Sequence, residues 1–555
     1  MIRNTVLVFL LMFMAIHHLN YAIAQDGSPK SNVEIADIRA AEKLIGLKLT
    51  EAERDSMLDG IRENADKYED IRSVNLSNSV WPAMMFNPIP VGKTFDSEQI
   101  PFQIDRPENV RRPANLEDVA FWSIPELAEM IRTRQVTSLE LTQMYLARLK
   151  KYGPKLECVI TLTENLALAQ AKRADAEIAE GNYRGMLHGI PYGAKDLLAV
   201  KGYKTTWGAM PFKDQEFDTD ATVIQKLEAA GAVLVAKLTM GALAWGDVWF
   251  GGKTRNPWNI EQGSSGSSAG SGSATSAGLV AFAIGTETWG SIVSPASRNR
   301  ISGLRPTYGR VSRTGAMALS WSMDKIGPLC RSTEDCAIVF NAILGPDGQD
   351  QTLHDLPFNY RSDFDVRQLR LGYLKSEFEN ADSVSQPFLQ AALDNFSEMG
   401  YELIPIELPD LPVWDLSIIL GAEAAAAFDA LTRSNDDDLL VRQIKNAWPN
   451  EFRTSRFIPA VEYINANRIR YLWIQEMAAL FETVDAYISP SFGENLLITN
   501  LTGHPCVVVP NGAAEQSISF TGNLFDEATI LALAKLYQQA TGFHKLHPDL
   551  SGLGE

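Results

Sequence analysis

Gly263-Ser264-Ser265-Gly266-Ser267-Ser268-Ala269-Gly270-Ser271-Gly272-Ser273 contains nothing but glycine, serine and alanine. Such a composition suits a flexible linker. It is bounded, however, by Asn256-Pro257-Trp258-Asn259 on one side and by the apolar run Ala277–Ile284 on the other, and a linker needs no such anchoring. Its Ala/Gly continuation reads instead as a tightly packed helix. A phosphate cradle would need a Lys-Ser/Thr pair or a Gly-x-Gly-x-x-Gly after a strand, and neither is present. Gly266-Ser267-Ser268-Ala269-Gly270 does match Gly-x-Ser-x-Gly, which would make Ser268 an elbow nucleophile. That elbow requires a strand directly before it, and Asn-Pro-Trp-Asn-Ile-Glu-Gln is a poor strand.

Outward from this stretch, short β-branched runs at 158–162, 232–236, 369–374, 403–406, 486–488 and 506–509 alternate with helical segments at 166–180, 221–230 and 528–541. Thr137-Ser138-Leu139-Glu140 is a capping signature, after which Leu141, Tyr145, Leu146 and Leu149 share one helical face. Strands alternating with helices predict an α/β fold, a large mixed but mostly parallel β-sheet sandwiched between helices.

The chain has 555 residues, 45% hydrophobic and 21% charged, which excludes a disordered tail, a coiled coil or a collagen-like rod. A net charge of −18 without a Lys/Arg cluster argues against nucleic acid or an anionic membrane as partner. Residues 1–24 read as a signal peptide: Arg3, then the apolar run Val6 to Ile16, then Ala22-Ile23-Ala24 before Gln25. The expectation is export, periplasmic or secreted, with cleavage near Ala24 and no stable membrane association afterwards. Cleavage removes one cation and no acid, taking the charge to −19.

Residues 25–116 read as an accessory segment. Ile35 to Ile45 is an amphipathic helix stopped by Gly46, Thr50-Glu51-Ala52-Glu53 is a capping box opening a second, and 81–112 is a Pro-rich strap. The four cysteines, Cys158, Cys330, Cys336 and Cys506, are too scattered for a disulfide scaffold; Cys330 and Cys336 could bridge or stay as buried thiols. Five histidines lie beyond the leader without a His-Glu-x-x-His pattern, so neither metal nor cofactor is expected.

A longer constellation carries the function. Ser265 to Ser271 is followed by Gly285-Thr286-Glu287-Thr288-Trp289-Gly290-Ser291-Ile292-Val293-Ser294-Pro295 and by Gly303-Leu304-Arg305-Pro306-Thr307-Tyr308-Gly309. Upstream stands His188-Gly189-Ile190-Pro191-Tyr192-Gly193-Ala194-Lys195-Asp196; downstream stand Asn500-Leu501-Thr502-Gly503-His504-Pro505 and Phe525-Asp526-Glu527-Ala528-Thr529. In this order the motifs closely resemble the amidase signature family over residues 117–545, leaving 546–555 as a tail. The resemblance implies a Ser-Ser-Lys triad with Ser291 as nucleophile, Ser267 as bridging serine and Lys195 as base. It also implies an oxyanion hole in the backbone of Thr288, Trp289, Gly290 and Ser291.

Elementary chemistry agrees with these roles. A serine hydroxyl attacks only when a base takes its proton, and a lysine is such a base only when burial keeps it neutral. The charge-poor segment before Lys195 suits that burial. Lys195 alone could equally be a surface cation beside Asp196, Ser291 a helix cap, and Glu287 a capping carboxylate supporting the loop. In the family pattern Gly usually stands where Trp289 is, Arg where Val293 is, and Asp more often than Glu287. The resemblance covers stand-alone amidases and a transamidosome subunit alike; the leader at 1–24 favours an exported stand-alone amidase acting on a small-molecule amide, with a homodimer allowed. The alternatives are the glutamine-hydrolysing subunit of an aminoacyl-tRNA amidotransferase, or a catalytically silent binding protein on the same fold.

Overall fold

The computed structural model describes residues 31–512 and 515–553, so the leader-like segment 1–24 lies outside the described residues. These divide between Val80 and Trp81 into two compact units, and the strap 81–112 belongs to the larger. In the smaller unit, helix α1 (Ile35–Ile45) ends at Gly46 with φ 70°, a left-handed conformation glycine adopts without strain. Helix α2 (Glu51–Ser73) opens on the capping box: the Glu53 N–H donates to Thr50 Oγ1 at 3.3 Å and the Thr50 N–H to Glu53 Oε2 at 2.6 Å. Arg54 Nη2 reaches back to Glu42 Oε2 at 3.0 Å, joining the two helices.

The larger unit is built on an 11-stranded sheet. In chain order its strands are β1 (Val159–Leu162), β2 (Pro191–Lys195), β3 (Val233–Leu238), β4 (Phe282–Glu287), β5 (Ser302–Arg305), β6 (Lys325–Cys330), β7 (Leu371–Leu374), β8 (Ile404–Ile406), β9 (Ala486–Pro490), β10 (Cys506–Pro510) and β11 (Ser517–Gly522). Their spatial order is β1-β3-β2-β4-β6-β5-β10-β11-β9-β7-β8.

The mixed sheet is as expected, but it is not mostly parallel. β3-β2-β4 run parallel near one end and β9-β7-β8 at the other. The middle, from β4 through β6, β5, β10 and β11 to β9, is antiparallel throughout. The expectation counted only strands separated by helices. β2, β4, β5, β6 and β11 escaped that count, and the antiparallel neighbours among them need no helical crossover.

Both faces are covered. Leu234 joins one apolar cluster while Val233 and Val235 join another. Likewise Val507 and Val509 of β10 face one way and Cys506 and Val508 the other. That alternation is what a sheet buried on two sides requires. Among the helices, α3 (Ser138–Leu156) carries the expected capping box, with the Glu140 N–H on Thr137 Oγ1 at 3.1 Å. It buries Leu141, Tyr145, Leu146 and Leu149. The Gly/Ser stretch is no linker: it becomes helix α4 (Ala269–Ser276), every residue of which is buried. The helix then stops, and Phe282–Glu287 is strand β4. All four cysteines are buried free thiols.

Candidate active site

β2 and β4 are parallel neighbours, with Tyr192 beside Phe282 and Ala194 beside Ile284, so their carboxyl ends emerge together. That edge is where open α/β sheets place their ligands. Lys195 is the last residue of β2, and the segment Thr288–Ile292 leaves the end of β4 for helix α5 (Val293–Arg298). The third component, Ser267-Ser268, precedes α4.

Lys195 is fully buried. Its ammonium nitrogen meets hydroxyls: Ser267 Oγ at 2.8 Å, Thr286 Oγ1 at 2.8 Å and Ser268 Oγ at 3.1 Å. Burial lowers its pKa from 10.5 to about 7, against the opposing charges of Asp324 and Glu287. The reading of Lys195 as a surface partner of Asp196 is therefore excluded. Asp196 pairs instead with Lys237 Nζ at 2.8 Å and accepts from the Thr206 hydroxyl and N–H.

Glycine is demanded here by close approach. A Cβ on Gly266 would lie 1.9 Å from the Gly246 carbonyl oxygen, and one on Gly270 only 2.4 Å from the Thr239 nitrogen. The Gly266–Ser267 peptide is cis. The Ser267 loop is tied to the Ser291 loop through the main chain, the Ser268 N–H donating to the Ser291 carbonyl at 3.2 Å. The Ser268 hydroxyl also donates to the Thr286 carbonyl at 3.0 Å. It is buried within this lattice rather than displayed on an elbow. Ser291 keeps 8% exposure against 1% for Ser267.

Two buried carboxylates hold the loop from Glu287 to Val293. Glu287 accepts the N–H groups of Ile292 at 2.8 Å and Val293 at 2.9 Å, and it takes Arg305 Nη1 at 2.9 Å and Asn500 Nδ2 at 2.8 Å. Burial alone would raise its pKa; Arg305 and these donors outweigh it and bring the group down to about 2. Glu287 is thus ionised at the N-terminal end of α5, where two N–H groups have no intrahelical partner. Asp324 accepts the Thr288 hydroxyl at 2.5 Å and the N–H groups of Leu319 and Ser320. Burial raises its pKa. Gly290, at φ 82°, lets the backbone turn between them.

Sequence reasoning missed Thr286 and Ser268 as partners of Lys195, and Asp324 as the anchor of Thr288. The alternation along β4 could have suggested Thr286. Nothing in Ser322-Met323-Asp324 marks the aspartate. Two of the histidines have polar partners of their own: His504 Nδ1 meets Thr502 Oγ1 at 2.8 Å, and His188 lies 3.1 Å from Glu177.

The sequence pattern of the Amidase family matches residues 140–508, and the chain belongs to the amidase signature family. It is 34% identical over 477 residues to one of the glutamyl-tRNA(Gln) amidotransferase subunits of Methylococcus capsulatus, spanning 77% of this chain and 98% of that one. Among solved structures it is similar to the native peptide amidase of Stenotrophomonas maltophilia. The TM-score is 0.70 at 28% identity, covering 78% of this chain and 100% of that one. A bacterial aryl acylamidase shares the fold with a TM-score of 0.69 at 21% identity, covering 77% of this chain and 98% of that one. The protein is therefore an amidase-family hydrolase acting on C–N bonds.

Proposed function

We propose that the chain cleaves a carboxylic amide through an acyl-enzyme on Ser291. Neutral Lys195 takes a proton from Ser267, which takes one from Ser291, and the freed Ser291 oxygen attacks the amide carbonyl. The N–H groups between Thr288 and Ser291 receive the oxyanion. The proton returns through Ser267 to the departing amine, and water then releases the acid by the same relay. The observation that carries this reading is Lys195 itself: buried, with hydroxyl partners at 2.8 Å and a pKa near 7. A cation so placed is poised to exchange a proton near neutrality. A fluorophosphonate probe tests it: wild type labels, and labelling is lost in Ser291→Ala. Labelling of both alike places the nucleophile elsewhere in the chain, and failure of wild type to label leaves the silent binding protein as the reading.

For the amide donor, the sequence relatives support glutamine, within a complex of partner subunits, more strongly than an exported stand-alone amidase. They match over 98–99% of their own length at 32–34% identity. The stand-alone reading rests on the leader-like residues 1–24 and on the similarity to a peptide amidase. Assaying glutamine beside primary amides, anilides and peptide amides, with the mass of the native complex, separates the two. An N-terminus at Gln25 in protein from its own host supports export; an N-terminus at Met1 removes it.

A further inference from the structure

Trp289 stands between the two anchored ends of the segment that carries Ser291, and, partly buried, it packs against the apolar cluster that contains Leu497, Ile498 and Met323. Its ring centroid lies 5.9 Å from that of Trp414 at 47°. Trp414 is half exposed, and its indole N–H donates to Glu494 at 2.8 Å, at the start of helix α6 (Glu494–Thr502). The next loop residue, Gly290, faces the same helix: a Cβ there would lie 3.2 Å from Leu496 Cδ2. The loop that carries Ser291 thus leans on a wall made of Trp414 and the first turn of α6.

A cleft of about 540 Å³ adjoins this wall. Trp414 and Glu494 line it, as does Ser297, on the same short helix α5 that begins two residues after Ser291. None of Ser291, Ser267, Lys195 and Trp289 is part of its lining; Trp289 touches it only through the ring of Trp414. Among the described residues the lining includes Glu377, Asp382 and Glu515 besides Glu494 and no lysine or arginine, with Glu515 paired to Arg298 from outside the lining. The volume falls within the range of small-molecule sites.

We propose that Trp289, backed by Trp414, determines specificity by closing this cleft off from the reaction centre. The two indoles then limit how far an amide substrate extends on the α6 side, and the space behind them accommodates a neutral or cationic extension once they are removed. This rests on Ser291 being the nucleophile, as proposed above.

The test reads labelling of the intact protein by two fluorophosphonates, one with a methyl group and one with a long aryl-alkyl group. Each forms an oxygen–phosphorus bond at Ser291 as fluoride leaves, so no knowledge of the natural substrate is needed. In Trp289→Ala the bulky-to-small ratio of labelling rates rises about 10-fold or more, the scale on which pocket shape discriminates. Trp414→Ala moves the same ratio in the same direction by less, and Trp289→Phe stays within about twofold of wild type. Ratios within twofold in both alanine variants overturn the proposal, as does a shift in Trp289→Phe as large as in Trp289→Ala. Should Trp289→Ala fail to fold, Trp414→Ala decides alone. Failure of the small probe to label wild type, or equal labelling of Ser291→Ala, overturns the nucleophile assignment instead and takes this proposal with it.

Discussion

β2 and β3 lie side by side, and each brings one lysine into the interior with no exposure to water. Lys237 has a carboxylate at 2.8 Å, that of Asp196. Lys195, in the neighbouring strand, has three hydroxyls within hydrogen-bond reach, and the carboxylates that influence it, Asp324 and Glu287, act only through their charge. Burial lowers the pKa of both. Only at Lys237 does a contact carboxylate counter it, so one lysine is a structural tie and the other is free to lose its proton. On the proposed mechanism, then, it is the partner rather than residue type or burial that distinguishes the base from the tie.

The comparison breaks most sharply at Lys195. Lys195→Ala should lower kcat/KM about 1,000-fold or more while leaving the fold intact, the scale of a lost general base. A residual activity near wild type would place the base elsewhere. Next in size, Lys237→Met strands Asp196 as an unpaired buried carboxylate. A loss of about 3–5 kcal/mol in denaturant stability follows, with the rate per folded molecule little changed. A rate loss matching that of Lys195→Ala would erase the distinction between the two lysines.

Thr288→Val removes the hydroxyl on Asp324 and loosens the segment proposed to hold the oxyanion. It should cost about 2 kcal/mol, read as stability, as a fall in kcat without a matching change in KM, or both. Smallest per unit, and the finest test, is pH. Lys195 must be neutral to act, so kcat/KM rises through about pH 7 and levels above it. Between pH 7 and its ordinary value of 10.5 the unfolded chain binds the proton that the folded chain has lost. Stability from this group therefore rises with pH in that window, by at most about 1.4 kcal/mol per unit. Lys195→Met should flatten that slope, whereas replacing His188 or His504 should leave the activity limb in place.

The elements most legible in the sequence were those with chemical punctuation. Thr50, Thr137 and Gly46 marked helix ends because capping is a local hydrogen-bond or backbone problem, solved by neighbours in the chain. The β-branched runs at β1, β3, β7, β8, β9 and β10 were visible for a similar reason. The central strands were not. β6 reads Lys325-Ile326-Gly327-Pro328-Leu329-Cys330, and glycine with proline argues against a central strand. Gly327 is nevertheless required, because a Cβ there would lie 2.0 Å from the Leu304 carbonyl oxygen. Gly285 in β4 likewise leaves room for Ser268 on the sheet. Strands that admit the site's loops must be poor in the residues by which strands are recognised.

By itself the sequence determined the family and the Gly/Ser/Ala loop, and it singled out Lys195, Ser267 and Ser291 as the residues to test, because motif order and residue chemistry are properties of the chain. Tertiary structure alone decided that Lys195 meets Ser267, Ser268 and Thr286 while Asp196 turns to Lys237. It alone brought Asp324 under Thr288, and Arg305 and Asn500 onto Glu287. Those contacts join residues as far apart as 213 positions. Hydrogen bonds and desolvation depend on distances of a few ångströms, and only the packing of the sheet sets those distances.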